Sequence, residues 1–113
     1  GNGRQDNYPP HNVVKLDDTH YVIEVAVAGF AEDEIDVELK DNVVTVKGEQ
    51  AKKDEVEYLH KGISARNFTR TFPLAEHIQV LGATVKNGIL AIALEQVVPE
   101  EQKAKKIQIT FAK

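Results

Sequence analysis

Ala83-Thr84-Val85-Lys86-Asn87-Gly88-Ile89-Leu90 is the stretch on which the fold turns. Asn-Gly between two alternating apolar runs is the strongest short-range signal for a β-hairpin, because both residues reach positive φ at little cost and match the twist of the strands they join. The second arm, residues 89 to 94, puts Leu90, Ile92 and Leu94 on one face as core candidates and Ile89, Ala91 and Ala93 on the other. Downstream lie Val97-Val98-Pro99, a stretch from Glu100 to Lys106 with charges of both signs, and then Ile107-Gln108-Ile109. Two β-branched residues two apart share one face of an extended segment and can enter adjacent pockets on another surface. Taken alone, the triplet also reads as the last strand of the domain. The charged, Pro-containing tether before it and the hairpin upstream favour a docking segment.

Working back from the hairpin, residues 75 to 82 read as an irregular connection ending at Gly82. Before it, Arg66, Phe68, Arg70 and Phe72 alternate with Asn67, Thr69 and Thr71, and Pro73 ends that strand. Arg70, between two phenylalanines, calls for an acidic partner or a subunit contact, or else snorkels from a sheet edge. Glu49 to Glu57 is charged enough for a solvated loop, and Tyr58-Leu59-His60-Lys61 within the same long connection reads as a short edge strand. Further upstream, Val14 and Leu16 pair with Tyr21, Ile23, Val25 and Val27 around Asp17-Asp18-Thr19. Ala28-Gly29-Phe30 breaks that run, residues 31 to 34 form a short turn, and Ile35, Val37 and Leu39 resume the alternation. Asp41-Asn42 then turns the chain into Val43, Val44 and Val46, with Gly48 closing the strand. No long segment has a helical period, so about eight short strands predict an all-β sandwich. The expected organisation is a flexible lead-in over 1–10, one domain over 11–96 and a C-terminal extension over 97–113.

Composition narrows the function. A chain of 113 residues fits one domain, and 42% hydrophobic with 28% charged residues is ordinary for a globular protein. A net charge of -4 supplies no basic footprint for nucleic acid or for an anionic membrane. The absence of cysteine removes disulfides and thiol nucleophiles and allows a reducing, cytoplasmic setting. The chain begins at Gly1 and contains no Met, from which a missing natural start is expected, so a targeting segment or N-terminal arm can have preceded it.

No constellation for catalysis emerges. The single serine, Ser64, has no glycine-flanked elbow, and His60 four residues before it on a strand is unremarkable. His11, His20, His60 and His77 lack ligand spacing, Glu32-Asp33-Glu34 point in different directions from one turn, and no phosphate-cradling loop is present. Neither an enzyme nor a cofactor is expected.

Val27-Ala28-Gly29-Phe30, Asp41 to Gly48, Arg66-Asn67-Phe68, Ala83 to Leu90 and Ile107-Gln108-Ile109, in that order, resemble the α-crystallin domain and extension of the small heat-shock proteins. Tyr8-Pro9-Pro10 and Tyr58-Leu59-His60-Lys61-Gly62-Ile63 make the chain look closest to the bacterial inclusion-body-binding branch. The resemblance implies an immunoglobulin-like sandwich and a cytoplasmic, ATP-independent holdase. Such a protein captures unfolded client proteins and passes them to ATP-driven chaperones, without nucleic acid or membrane partners. It further implies self-assembly. Ile107 and Ile109 would dock in a neighbouring subunit's groove formed by Ile35, Val37 and Leu39 with Ala83 and Val85. Tyr58, Leu59, His60, Lys61, Gly62 and Ile63 would be exchanged as a dimer strand, and Arg70 matches an arginine tied to dimer integrity. The chain departs from the family in lacking a hydrophobic N-terminal arm. A related β-sandwich co-chaperone module that recruits a folded partner is the alternative, and an extracellular sandwich is disfavoured by the missing cysteines and signal.

Overall fold

The computed structural model describes residues 7–51, 55–63 and 66–113. Seven strands form among them: β1 (His11–Lys15), β2 (His20–Ala26), β3 (Ile35–Lys40), β4 (Val43–Gly48), β5 (Phe68–Pro73), β6 (Ile78–Lys86) and β7 (Ile89–Gln96). Short 3-10 turns cover Glu32–Glu34 and Glu100–Gln102. The strands make two antiparallel sheets, β1-β2-β7-β6 and β3-β4-β5, so the all-β sandwich expected from the alternation is the observed architecture.

The two tightest hairpins sit where the turn chemistry places them. Asn87 and Gly88 take φ of 54° and 77°, joining β6 to β7, and Asp41 and Asn42 take 50° and 65°, joining β3 to β4. Positive φ at both central positions gives the turn a twist that matches the strands it links. Asn42 is further held because its side-chain amide donates to the carbonyl of Leu74 at 2.9 Å. The Gly88 carbonyl accepts from the Val27 N–H at 2.8 Å, and a Cβ on Gly88 would stand 3.1 Å from that of Ala28.

The inward faces of the central strands build one core. Ile23, Val25, Leu90, Ile92 and Leu94 from the larger sheet, with Val27 just past β2, meet Val44, Val46, Phe68 and Phe72 from the smaller one. Leu90, Ile92 and Leu94 are thus the buried face of the hairpin's second arm, and Ile92 is 0% exposed. A side chain at Gly48 would collide with the Phe68 ring, which explains a glycine at the end of β4.

Three features differ from the sequence reading. The connection before the hairpin is not irregular: β6 begins at Ile78 and carries a bulge between Val80 and Gly82. Tyr8 and Pro9 are not part of a loose lead-in. Pro9 is buried and Tyr8 packs edge-on against Phe68 with centroids 6.0 Å apart. The expected eighth strand is absent, since residues 55–63 join neither sheet. A strand needs a ladder partner, and within one chain this segment has none. Residues 1–6, Ser64 and Ala65 lie outside the described residues, as does most of the expected lead-in.

Candidate functional site

Because β3 is hydrogen-bonded only to β4, and β6 only to β7, the two sheets each leave an open edge on one side of the sandwich. Open edges expose both backbone hydrogen-bonding groups and the partly covered inner side chains. Between them lies a cavity of about 570 Å³ lined by Phe30, Ile35, Val37, Ala83, Val85 and Leu90, together with Glu32 and Thr84. Four of the five groove positions expected from the sequence are brought together there. Leu39, the fifth, lies beyond the lining and is 52% exposed.

The bulge puts the β6 residues in place. Val80 is opposite Leu94, whereas Ala83 is opposite Ile92 and Val85 opposite Leu90, so the extra residue resets the alternation. Residues directly opposite in an antiparallel pair share a face, so Ala83 and Val85 turn toward the core side together with Ile92 and Leu90. Without the bulge, Gly82 and Thr84 would take those places.

Phe30 and Leu90 were not expected as groove residues. Phe30 follows Gly29, whose φ is 94°, and its ring stands edge-on to Phe68 at 5.4 Å. The rim beside it is braced by Glu34, whose carboxylate accepts from the N–H of Ala31 and of Ala51, both at 2.7 Å. Gln50 adds a second brace, its amide donating to the Gly29 carbonyl at 2.7 Å. An apolar residue immediately after a glycine break was the available signal for Phe30.

A second opening lies on the opposite side, where β1 and β5 are the free edges. Its cavity is larger, about 730 Å³, and His11, Val13, Ile23, Arg70, Phe72 and Leu94 are among its lining residues. Arg70 has no acidic partner among the described residues, contrary to one sequence expectation. Its guanidinium donates to the Pro9 carbonyl at 2.7 Å, lies 3.1 Å from His11 Nδ1 and sits 5.4 Å from the Phe72 ring centre. A carbonyl and an aromatic face suit a half-buried guanidinium, which is more weakly hydrated than an ammonium.

The segments expected to reach other subunits stand away from the sandwich. Leu59 is fully exposed, Ile63 is 86% exposed, and Lys61 lies over the Tyr58 ring at 5.2 Å. Ile107 and Ile109 are 87% and 74% exposed, and the sheets end at Gln96, so the triplet is not the domain's last strand. Among the described residues no group of three or more His, Asp or Glu is arranged to hold a metal. No helix among them is long and apolar enough to cross a membrane.

Asp17, in the β1–β2 turn, is strongly perturbed. The Thr19 N–H and the His20 side chain hold its carboxyl down to about 2. His20 is raised in return, chiefly by Asp17 at 2.9 Å and also by Glu95 at 3.3 Å from its other ring nitrogen.

Residues 13–110 match the model of the Hsp20/alpha crystallin family. The chain belongs to that family. It is 52% identical over 103 residues to the small heat shock protein IbpA of Pectobacterium carotovorum, covering 90% of this chain and 75% of that protein. Against the IbpA of Serratia proteamaculans it is 48% identical over 110 residues, covering 96% and 78%. Identity of this order places it in the inclusion-body-binding branch. Among solved structures, a C-terminally truncated small heat shock protein AgsA from Salmonella typhimurium superposes with a TM-score of 0.72 at 28% identity, covering 88% of this chain and 96% of that one. The small heat shock protein of Synechococcus phage S-ShM2 gives 0.68 at 34%, covering 90% and 99%. The chain is thus a stress-response chaperone of the small heat shock type, a family whose members bind unfolded clients and self-assemble.

Proposed function

We propose that this chain is a non-enzymatic, ATP-independent holdase that works by competition for apolar surface. Clients losing their structure expose hydrophobic segments, which bind before they can aggregate to surfaces freed when the assembly loosens. The supporting observation is the apolar cavity between the open edges of β3 and β6, together with an exposed Ile-x-Ile segment in the same chain. Ile107 and Ile109 of one subunit dock in the groove of another, against Ile35, Val37, Ala83 and Val85, with Leu39 at its far end. Burying two isoleucines is worth about 3–6 kcal/mol gross. Ordering the tether consumes part of that, so single contacts exchange while several together hold an assembly.

The second contact is strand exchange. Tyr58 to Ile63 pairs with a free edge of the partner, and β1 is one of the two free edges beside the opening that contains Arg70. A segment with fully exposed Leu59 gains both a ladder and apolar cover on pairing. Captured clients are released to ATP-driven chaperones in the cytoplasm. Neither nucleic acid nor membrane takes part, in keeping with the net charge of -4.

A heat-labile client warmed with the chain, in the absence of nucleotide, tests this reading. Light scattering by the client should be suppressed near stoichiometric ratios, and the client should be recovered as a soluble complex. Unchanged scattering, with binding only to a folded partner, would favour the co-chaperone module instead.

A further inference from the structure

The tail carries more than Ile-x-Ile. Phe111 continues the alternation of Ile107 and Ile109 and is 87% exposed, so an extended tail presents three apolar side chains on one face. On β3, Ile35, Val37 and Leu39 repeat at the same spacing, and Leu39 is the member left outside the cavity. Three exposed side chains thus match, in spacing, three rungs of an open strand edge.

Charge follows the same division. Lys103, Lys105, Lys106 and Lys113 flank the tail's apolar run, with no acidic residue from 103 onward. Lys103 already meets Glu100 of its own chain at 3.4 Å, whereas no ion pair is formed by Lys105 or Lys106 among the described residues. Just before β3, Glu32 lines the groove and its neighbour Asp33 is exposed, whereas Lys40 closes the other end of the strand.

We propose that Phe111 is a third anchor of the docked tail, seated over Leu39 of a second copy of this chain, and that Lys105 and Lys106 orient the tail parallel to β3 by meeting Glu32 and Asp33. This rests on the tail-docking reading above. In the parallel direction Ile107 falls at the Ile35 rung, Ile109 at Val37 and Phe111 at Leu39, and the lysine pair just before Ile107 lies beside the acidic rim. The reverse direction sets Lys106 beside Lys40 and Lys105 beside Asp41, where repulsion and attraction offset each other. Charge therefore chooses between two directions that the apolar pattern alone leaves equivalent, and the aromatic covers the one groove residue the isoleucines do not reach.

The test is the solution mass of the full chain across a dilution series. Phe111→Ala should raise the concentration of half-dissociation roughly tenfold, the scale set by loss of one partly buried aromatic anchor, and Phe111→Leu should restore most of it. Lys105→Glu with Lys106→Glu should weaken assembly comparably, and adding Glu32→Lys with Asp33→Lys should rescue it. Without any substitution, raising salt from about 0.01 M to about 0.15 M shortens the Debye length from about 30 Å to about 8 Å and should weaken the native assembly, with less effect in a Lys105→Gln, Lys106→Gln chain. Assembly by Phe111→Ala at the native concentration, in a protein that Ile107→Ala with Ile109→Ala dissociates, would overturn the third anchor and leave docking standing. Failure of the charge exchange to rescue, or identical salt responses, would overturn the direction. Native mass in the isoleucine pair itself would overturn docking and this inference together.

Discussion

The two openings of the sandwich are made from the same parts and yet are suited to different visitors. Both lie between free edges of opposite sheets, and both are floored by β7, with Leu90 under one and Leu94 under the other. The β3–β6 side is lined by Phe30, Ile35, Val37, Ala83, Val85 and Leu90 with Glu32 and Thr84 among them, a mainly apolar set that suits short apolar side chains from an extended segment. The β1–β5 side brings Arg70 and His11 across its mouth, held by the Pro9 carbonyl and the Phe72 ring. A sandwich that leaves all four edge strands open presents two surfaces on which another chain can pair.

The largest effect on stability is expected where the openings share a floor. Leu90→Ala and Leu94→Ala should each cost about 2–5 kcal/mol, because both side chains are buried and their removal leaves a cavity. They should separate in assembly: Leu90→Ala loosens the tail groove as well, whereas Leu94→Ala leaves tail docking intact. Urea unfolding with parallel mass measurement checks this, and identical assembly losses would erase the distinction between the two sides.

Arg70→Ala comes next. With a neutral carbonyl as its partner in place of an acid, the loss should be about 1–3 kcal/mol rather than that of a broken buried ion pair. If the β1–β5 side receives the exchanged strand, the dimer should weaken more than the monomer's unfolding midpoint moves. Thermal melts beside sedimentation would show this, and a lower midpoint with an unaltered dimer would confine Arg70 to a role within the chain.

The smallest effect belongs to the β1–β2 turn. His20 is raised above its ordinary value, so its contribution is fully present below about 6.5 and is lost as pH rises through the higher folded-state value. Asp17 is lowered, so its contribution is present above 3.8 and lost as pH falls toward about 2. The melting temperature of the native chain should therefore decline slightly as pH rises above about 6.5, while that of His20→Gln stays flat there. Parallel curves for the two would remove His20 from the pH response.

How much of this was legible in the sequence depends on how local the cause is. Asn87-Gly88 and Asp41-Asn42 announced their hairpins because the required backbone angles are a property of those residues themselves. The buried face of Leu90, Ile92 and Leu94 followed from period-two alternation. The bulge was visible only as a change of phase, from Ile78 and Val80 to Ala83 and Val85, with Gly82 between, and it read as irregularity instead. The seating of Pro9 and the partner of Arg70 depend on contacts about sixty residues apart, which alternation does not encode. The second opening was missed for the same reason: a strand is an edge only once every pairing in its sheet is known. Tyr58 to Lys61 read as an edge strand from its residues, yet it joins neither sheet of its own chain.

The most direct test of tail-to-groove assembly is the solution mass of Ile107→Ala with Ile109→Ala, measured by light scattering beside circular dichroism. A lower mass with an unchanged β spectrum is the expected result, since both residues lie outside the core and 74% or more of each is exposed. Native mass in a folded double variant would contradict it.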